Sequence, residues 1–301
     1  MRRAGFALLC CLVLSTQPTH ASSFEILFST SPGLESLGAR LAGIEPERIR
    51  SVVDLVGGSG SDEPIRVFLA AEDSLAGRST RSWIAGYAIG EASRIVIFPA
   101  RIPTYPHSSL EEVLLHELSH VLSARRAAHQ PLPRWFNEGL AMAAGSPWGL
   151  GDRSRLALAF RKTPLRELSR AFEGNQTEVG RAYVLAGAMM NDILRRHGRG
   201  SAARTLDGVA LGLPFDEAFR RATGQSLSTT ESSFWRRYSI WYRWIPLLTS
   251  SATLWIGITV LALLAFRRRR ARDAELRQHW LEEELDDETP NDETTQATTV
   301  H

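Results

Sequence analysis

Apolar positions recur along this chain in two rhythms. In the first hundred residues they come as short runs bounded by Pro, Gly and Ser, at 25–28, 65–69 (IRVFL) and 94–98 (RIVIF). Such runs predict strands, and a helix is expected over 34–41 between the first two. From 109 onward the apolar spacing is three and four residues, and the signals are almost wholly helical. The expected fold class is α+β: a small N-terminal mixed sheet followed by a helical half.

Two longer uncharged runs bracket that pattern. Arg2 and Arg3 precede an apolar run over 4–14 and a Thr19-His20-Ala21 sequence, which together read as a secretory signal peptide over 1–21. The second run, LLTSSATLWIGITVLALLAF at 247–266, leads directly into Arg267-Arg268-Arg269-Arg270. It reads as a transmembrane helix with the arginines on the cytoplasmic side. Trp235, Tyr238, Trp241, Tyr242 and Trp244 lie just upstream, either as an interfacial aromatic belt or as the apolar face of the last helix of the domain. The expected organisation is a signal peptide over 1–21, one extracytoplasmic domain over 22–246, a membrane helix over 247–266 and a cytoplasmic tail over 267–301. The placement that follows is single-pass in a bacterial cytoplasmic membrane.

Charge and cysteine content narrow the function classes. The net charge of +2 hides a split. Residues 271–301 carry two arginines against ten acidic residues, 2 − 10 = −8, which predicts disorder beyond a short helix around 275–285. No basic patch argues for a nucleic-acid partner. All basic residues but Lys162 are arginine, which reads as the codon bias of a GC-rich bacterial genome. Cys10 and Cys11, the only cysteines, both fall in the signal segment, so the mature domain has no disulfide and no thiolate chemistry.

The chemistry is concentrated in LLHELSHVLSARRAAHQPLPRWFNEGLAM, residues 114–142. Ser108 and Ser109, with Glu111 and Glu112 three residues on, form overlapping capping-box patterns that start a helix near Leu110. His116 and His120, four apart, then face the same side and can both reach one metal at about 2.0–2.1 Å. Glu117 borders that site without ligating it and is placed to act as general base. A zinc hydrolase needs a third protein ligand and one open position. Pro131 and Pro133 precede RWFNEGLAMAA, a second helix that can return antiparallel with Glu138 near its first turns, its small residues Gly139, Ala141, Ala143 and Ala144 permitting close approach. Glu138 is the best third ligand. His129, in the turn, and His107, before the motif helix, are weaker competitors.

These residues resemble the gluzincin zinc metallopeptidases. His116-Glu-x-x-His120 with Glu138 in WFNEGLA is similar to their motif, and the bacterial peptidase-MA-like group is the closer match, over roughly 65–235, with FDEAFRRATGQSL at 215–227 as a further shared segment. The chain has no Gly-x-Met-Glu-Asn block, and Met142 stands where thermolysin-like enzymes have an Asp that orients a zinc histidine. The resemblance implies one zinc ion per chain, a peptide or protein substrate, and an oxyanion donor. Tyr183, in an Ala-Tyr pair on a helix capped by Asn175 and ended by Gly198, is the candidate donor, or else a core tyrosine; Tyr87 and Tyr105 are the alternatives. It also implies that backbone groups of 94–98 pair with an extended substrate at a sheet edge, unless that strand is interior.

The expected function is a membrane-anchored zinc metallopeptidase that hydrolyses peptide bonds outside the cytoplasmic membrane. The alternative is a non-catalytic peptidase-like receptor or scaffold with a signalling tail. Glu117 separates the two, since a binding module has no use for a general base at that position.

Overall fold

The computed structural model describes residues 24–58, 60–102, 105–146, 148–159, 162–248 and 251–287, and the signal segment over 1–21 lies outside them. The chain divides into two units, Met1–Tyr238 and Ser239–His301.

In the first unit, β1 (Ile26–Thr30), β2 (Ile65–Leu69), β3 (Gly86–Ile89) and β4 (Arg94–Ile97) form one sheet in the order β1-β2-β4-β3. β1, β2 and β4 are parallel. Helices α1 (Glu35–Ala42) and α2 (Pro46–Val56) provide the crossover from β1 to β2 that parallel pairing requires. β3 pairs antiparallel with β4 through a tight turn at Gly90–Ala92, and Ser93 closes that turn at φ 46°. Ile65, Val67 and Leu69 of β2 and Ile95 and Ile97 of β4 are fully buried.

A short helix, α3 (Leu75–Ser79), and the loop after it lead into β3. Among residues 71–84 only Gly77 is buried, and apolar packing is slight, with Ala76 against the Ala70, Val96 and Phe98 cluster. The segment is held by Arg101. That guanidinium donates to both carboxylate oxygens of Glu72, at 2.7 and 2.9 Å, and to the carbonyls of Gly77, Arg81 and Ile84 at 2.9–3.0 Å. It also lies 4.1 Å from the Phe98 ring centroid.

The helical half comprises α4 (Leu110–Arg126), α5 (Arg134–Gly145), α6 (Leu150–Ala159), α7 (Leu165–Ala171), α8 (Gln176–His197), α9 (Ser201–Ala210), α10 (Phe215–Thr223) and α11 (Leu227–Leu248). Ser109 caps α4, accepting from the Glu112 N–H, while the Glu112 carboxylate accepts from both the N–H and hydroxyl of Ser108. Glu111, which the overlapping pattern also offered as a cap partner, instead pairs with Arg40 of α1. α4 is buried on most of its circumference and packs against β3, β4, α2, α5 and α9, with His116, Glu117, Ser119, Ser123 and Arg125 among its buried residues.

α5 packs against both α4 and α8. The glycines divide that work. A Cβ on Gly139 would stand 2.6 Å from the Ala186 carbonyl of α8, whereas one on Gly145 would meet the Glu112 carbonyl of α4 at 3.2 Å. Gly139 therefore serves contact with α8 rather than the α4 approach expected from sequence. α8 begins with a reciprocal cap between Asn175 and Glu178. Near its end the buried Asp192 pairs with Arg195, Arg196 and Arg237, which ties α8 to α11.

In the second unit α12 (Ser251–Asp287) is one helix through the arginine run and into the acidic segment, longer than the short helix expected around 275–285. Of the apolar run only 251–266 lies in α12 before Arg267, a rise of about 24 Å at 1.5 Å per residue, short of the roughly 30 Å of a bilayer core. Among the described residues no helix is long and apolar enough to cross a membrane. The membrane helix expected over 247–266 is corrected accordingly. So is the single-pass placement built on it, with its extracytoplasmic domain and cytoplasmic tail. The α+β class with a small mixed sheet stands without that helix.

Candidate metal centre

α4 and α5 bring His116, His120 and Glu138 together, with their ligand atoms within 4.8 Å of one another. Glu138 Oε2 is 3.5 Å from Nε2 of each histidine. That oxygen is buried and makes no hydrogen bond. Ligand atoms held tetrahedrally at about 2.0–2.1 Å from a metal stand roughly 3.3 Å apart. Two imidazole nitrogens and one orphaned carboxylate oxygen at this spacing fit a metal ion better than they fit one another.

The local sequence explains the geometry. His116 and His120 are one turn apart on a helix buried on both sides of them, and Pro133 starts α5 so that Glu138 arrives in its second turn, opposite both rings. Glu117 is buried beside them and lines a cavity of about 600 Å³ together with Tyr183, Tyr105, Tyr87, His107, Arg134 and Arg81. Burial pushes the Glu117 carboxyl up, and the two histidines pull it down. Burial also pushes the Tyr183 phenol well up, with Glu138 and Glu117 adding to the effect. Its hydroxyl therefore stays protonated and can donate. The Tyr183 ring centroid lies 6.1 Å from that of His116.

Several features differ from the sequence expectation. β4 is paired on both sides, with β2 and β3, so the backbone of 94–98 is interior and is not free to bind an extended peptide. The edge strand next to β4 is β3, and it reaches the site: a Cβ on Gly86 would lie 3.3 Å from Glu117 Cγ. His107, a weaker competitor from its place before the motif helix, packs edge-on to His116 with centroids 4.5 Å apart. Burial, then the charge of His116, pushes it down and keeps it neutral. His129 is exposed in the turn after α4, at φ 58°. Asn137 also escaped notice. Its side chain lies beside His120 and favours the charged ring, and its carbonyl oxygen, like Nδ1 of both histidines, is buried without a hydrogen bond. Its position immediately before Glu138 was the available signal.

The pairing of His120 with Glu138 has a measurable consequence. Burial pushes the imidazole down, but the Glu138 charge outweighs it and carries His120 up to about 9. Glu138, despite burial, is held below the ordinary carboxylate range by His120 and His116. The metal-free protein thus keeps a proton on His120 at neutral pH, and only the neutral ring can ligate. Metal affinity should rise with pH, approaching tenfold per unit between about 7 and 9, because the metal-free form alone binds that proton. Calorimetric zinc titration in buffers of different ionisation enthalpy should show about one proton released per ion. An affinity flat across that range would dissolve the pair. Compared with protein-family models and with curated proteins, the chain matches none.

Proposed function

We propose that this chain is a zinc-dependent metallopeptidase in which His116, His120 and Glu138 would hold the metal and Glu117 is the general base. The observation that supports this most is the orphaned Glu138 oxygen 3.5 Å from both ring nitrogens, with Glu117 on the wall of the adjoining cavity. Zinc held by two histidines and a glutamate would supply Lewis acidity, polarising a carbonyl and lowering the pKa of bound water to about 7.

The protein's own groups then have defined tasks. Glu117 accepts the proton of the attacking water and returns it to the leaving amine. Tyr183, with its phenol kept protonated, donates to the oxygen of the scissile carbonyl as negative charge grows there. The free edge of β3, beside Glu117, offers backbone donors and acceptors to an extended polypeptide.

Hydrolysis of a peptide library by the full zinc-loaded chain tests the reading. Wild type should cleave, and Tyr183→Phe should lower turnover by about 10²–10³-fold. A wild-type protein that carries zinc and cleaves nothing would overturn the proposal. A fully active Phe variant would move the donor role to Tyr105, whose hydroxyl is buried without a hydrogen bond, or to Tyr87.

A further inference from the structure

The cavity beside the candidate metal site has a guanidinium on its wall whose pairing is loose. Arg134 is the first residue of α5, where a cation is disfavoured by the positive end of the helix dipole. No acidic residue stands in that first turn. Its nearest anionic partner is Oε1 of Glu138, 3.7 Å from Nε, too long for a hydrogen bond. Its guanidinium lies 5.3 Å from the Phe172 ring centroid, which supports it from one side. The side chain is nearly half exposed and lines the cavity, and among the described residues its two terminal nitrogens have no hydrogen-bond acceptor.

Arg81 repeats the arrangement on another part of the wall. Its guanidinium lies 5.4 Å from the Trp83 ring centroid, and its side chain donates no hydrogen bond among the described residues. The carboxylates lining the cavity are Glu117 and Glu173. With a divalent ion balancing Glu117 and Glu138, two guanidinium groups remain against Glu173 alone. Glu173 is exposed, so water and salt screen it.

Resting on the metallopeptidase reading, we propose that Arg134 is a specificity residue that grips a carboxylate of the substrate adjacent to the scissile bond. The planar fork of arginine binds a carboxylate through two parallel N–H···O bonds, and an aromatic ring behind the guanidinium fixes its plane. The carboxylate is either an Asp or Glu side chain or the C-terminus of the peptide. Donors already on the cavity wall favour such a substrate over its amide isostere, which cannot accept through two charged oxygens.

Two measurements on the full zinc-loaded chain decide this. The first compares kcat/KM for matched peptides bearing Glu or Gln beside the cleaved bond, each with a free or an amidated C-terminus, so that side-chain and terminal carboxylates are told apart. The second measures binding of the hydroxamates of N-acetylglutamate and N-acetylglutamine, which reads charge preference without turnover. Wild type should favour the carboxylate partner on the order of 10- to 100-fold. Arg134→Gln should erase the preference through KM while keeping one zinc per chain, and Arg134→Lys should recover part of it. Equal affinity of wild type for the two hydroxamates overturns the side-chain form of the inference, and, together with equal kcat/KM for free and amidated C-termini, overturns it altogether even if peptides are cleaved. Loss of zinc in Arg134→Gln also overturns it, by making Arg134 a support for Glu138 instead. Cleavage of no peptide, together with binding of neither hydroxamate, removes the peptidase reading and this inference at once.

Discussion

Glu117→Gln is expected to keep its metal and to lose about 10²–10⁴-fold in turnover, the usual contribution of a positioned general base. The side chain is buried next to His116 and His120 and borders the cavity. It makes no ion pair or hydrogen bond among the described residues, so the amide can occupy the same space without stranding a partner. Shape and both imidazoles are retained; the proton acceptor alone is removed. The discriminating pair of measurements is zinc content and peptide hydrolysis on the same preparations. Full activity with zinc bound would eliminate Glu117 as base, whereas loss of zinc would show that its charge is needed to hold the metal.

His120→Ala is expected to abolish stoichiometric zinc binding and, with it, the stabilisation that binding confers. At a free zinc concentration about a thousandfold above the dissociation constant, that stabilisation is roughly 4 kcal/mol for wild type. Thermal unfolding with zinc and with chelator should therefore give two well-separated midpoints for wild type and one for the variant. The ring is only partly exposed and its Nε2 faces Glu138 at 3.5 Å, so the variant also strands the Glu138 carboxylate beside one histidine. Zinc-dependent stabilisation of His120→Ala equal to wild type would place the metal elsewhere in the molecule.

The parts of this fold that could be read in advance are those whose signals are local. Ser109 and Glu112 mark the start of α4, Asn175 and Glu178 that of α8, and Gly198 its end; each is a hydrogen-bond pattern closed within a few residues of sequence. The strand at Ile65–Leu69 is bounded as its apolar run is. The grouping of His116 and His120 was legible for the same reason, since a four-residue interval on a helix decides which side chains share a face. Nonlocal relations were not. β3 is four residues headed by Gly86, too short and too weakly apolar to announce itself, and without it β4 read equally as an edge or an interior strand. His107 meets His116 only because the segment before α4 folds back over the start of that helix, a tertiary fact that spacing does not carry. The run at 247–266 shows the opposite failure. Its composition is continuous in sequence, while the helix that takes it up includes only 251–266 before the arginines.

Arg101 gives the wall of the cavity an unusual kind of cohesion. Residues 71–84 are fastened by charge and directional bonds from one guanidinium rather than by burial, for Gly77 is their only buried member. Ordering such a segment removes little apolar surface from water, so it carries little heat-capacity change and its free energy varies weakly with temperature. The sheet and α4, rich in buried Ile, Leu and Val, follow the curved temperature dependence of hydrophobic cores. The wall is therefore expected to exchange its amide hydrogens at lower opening free energy than the core. Any molecule entering beside Glu117 meets a boundary that can open by exchanging hydrogen bonds with solvent while α4 and α5 keep their packing.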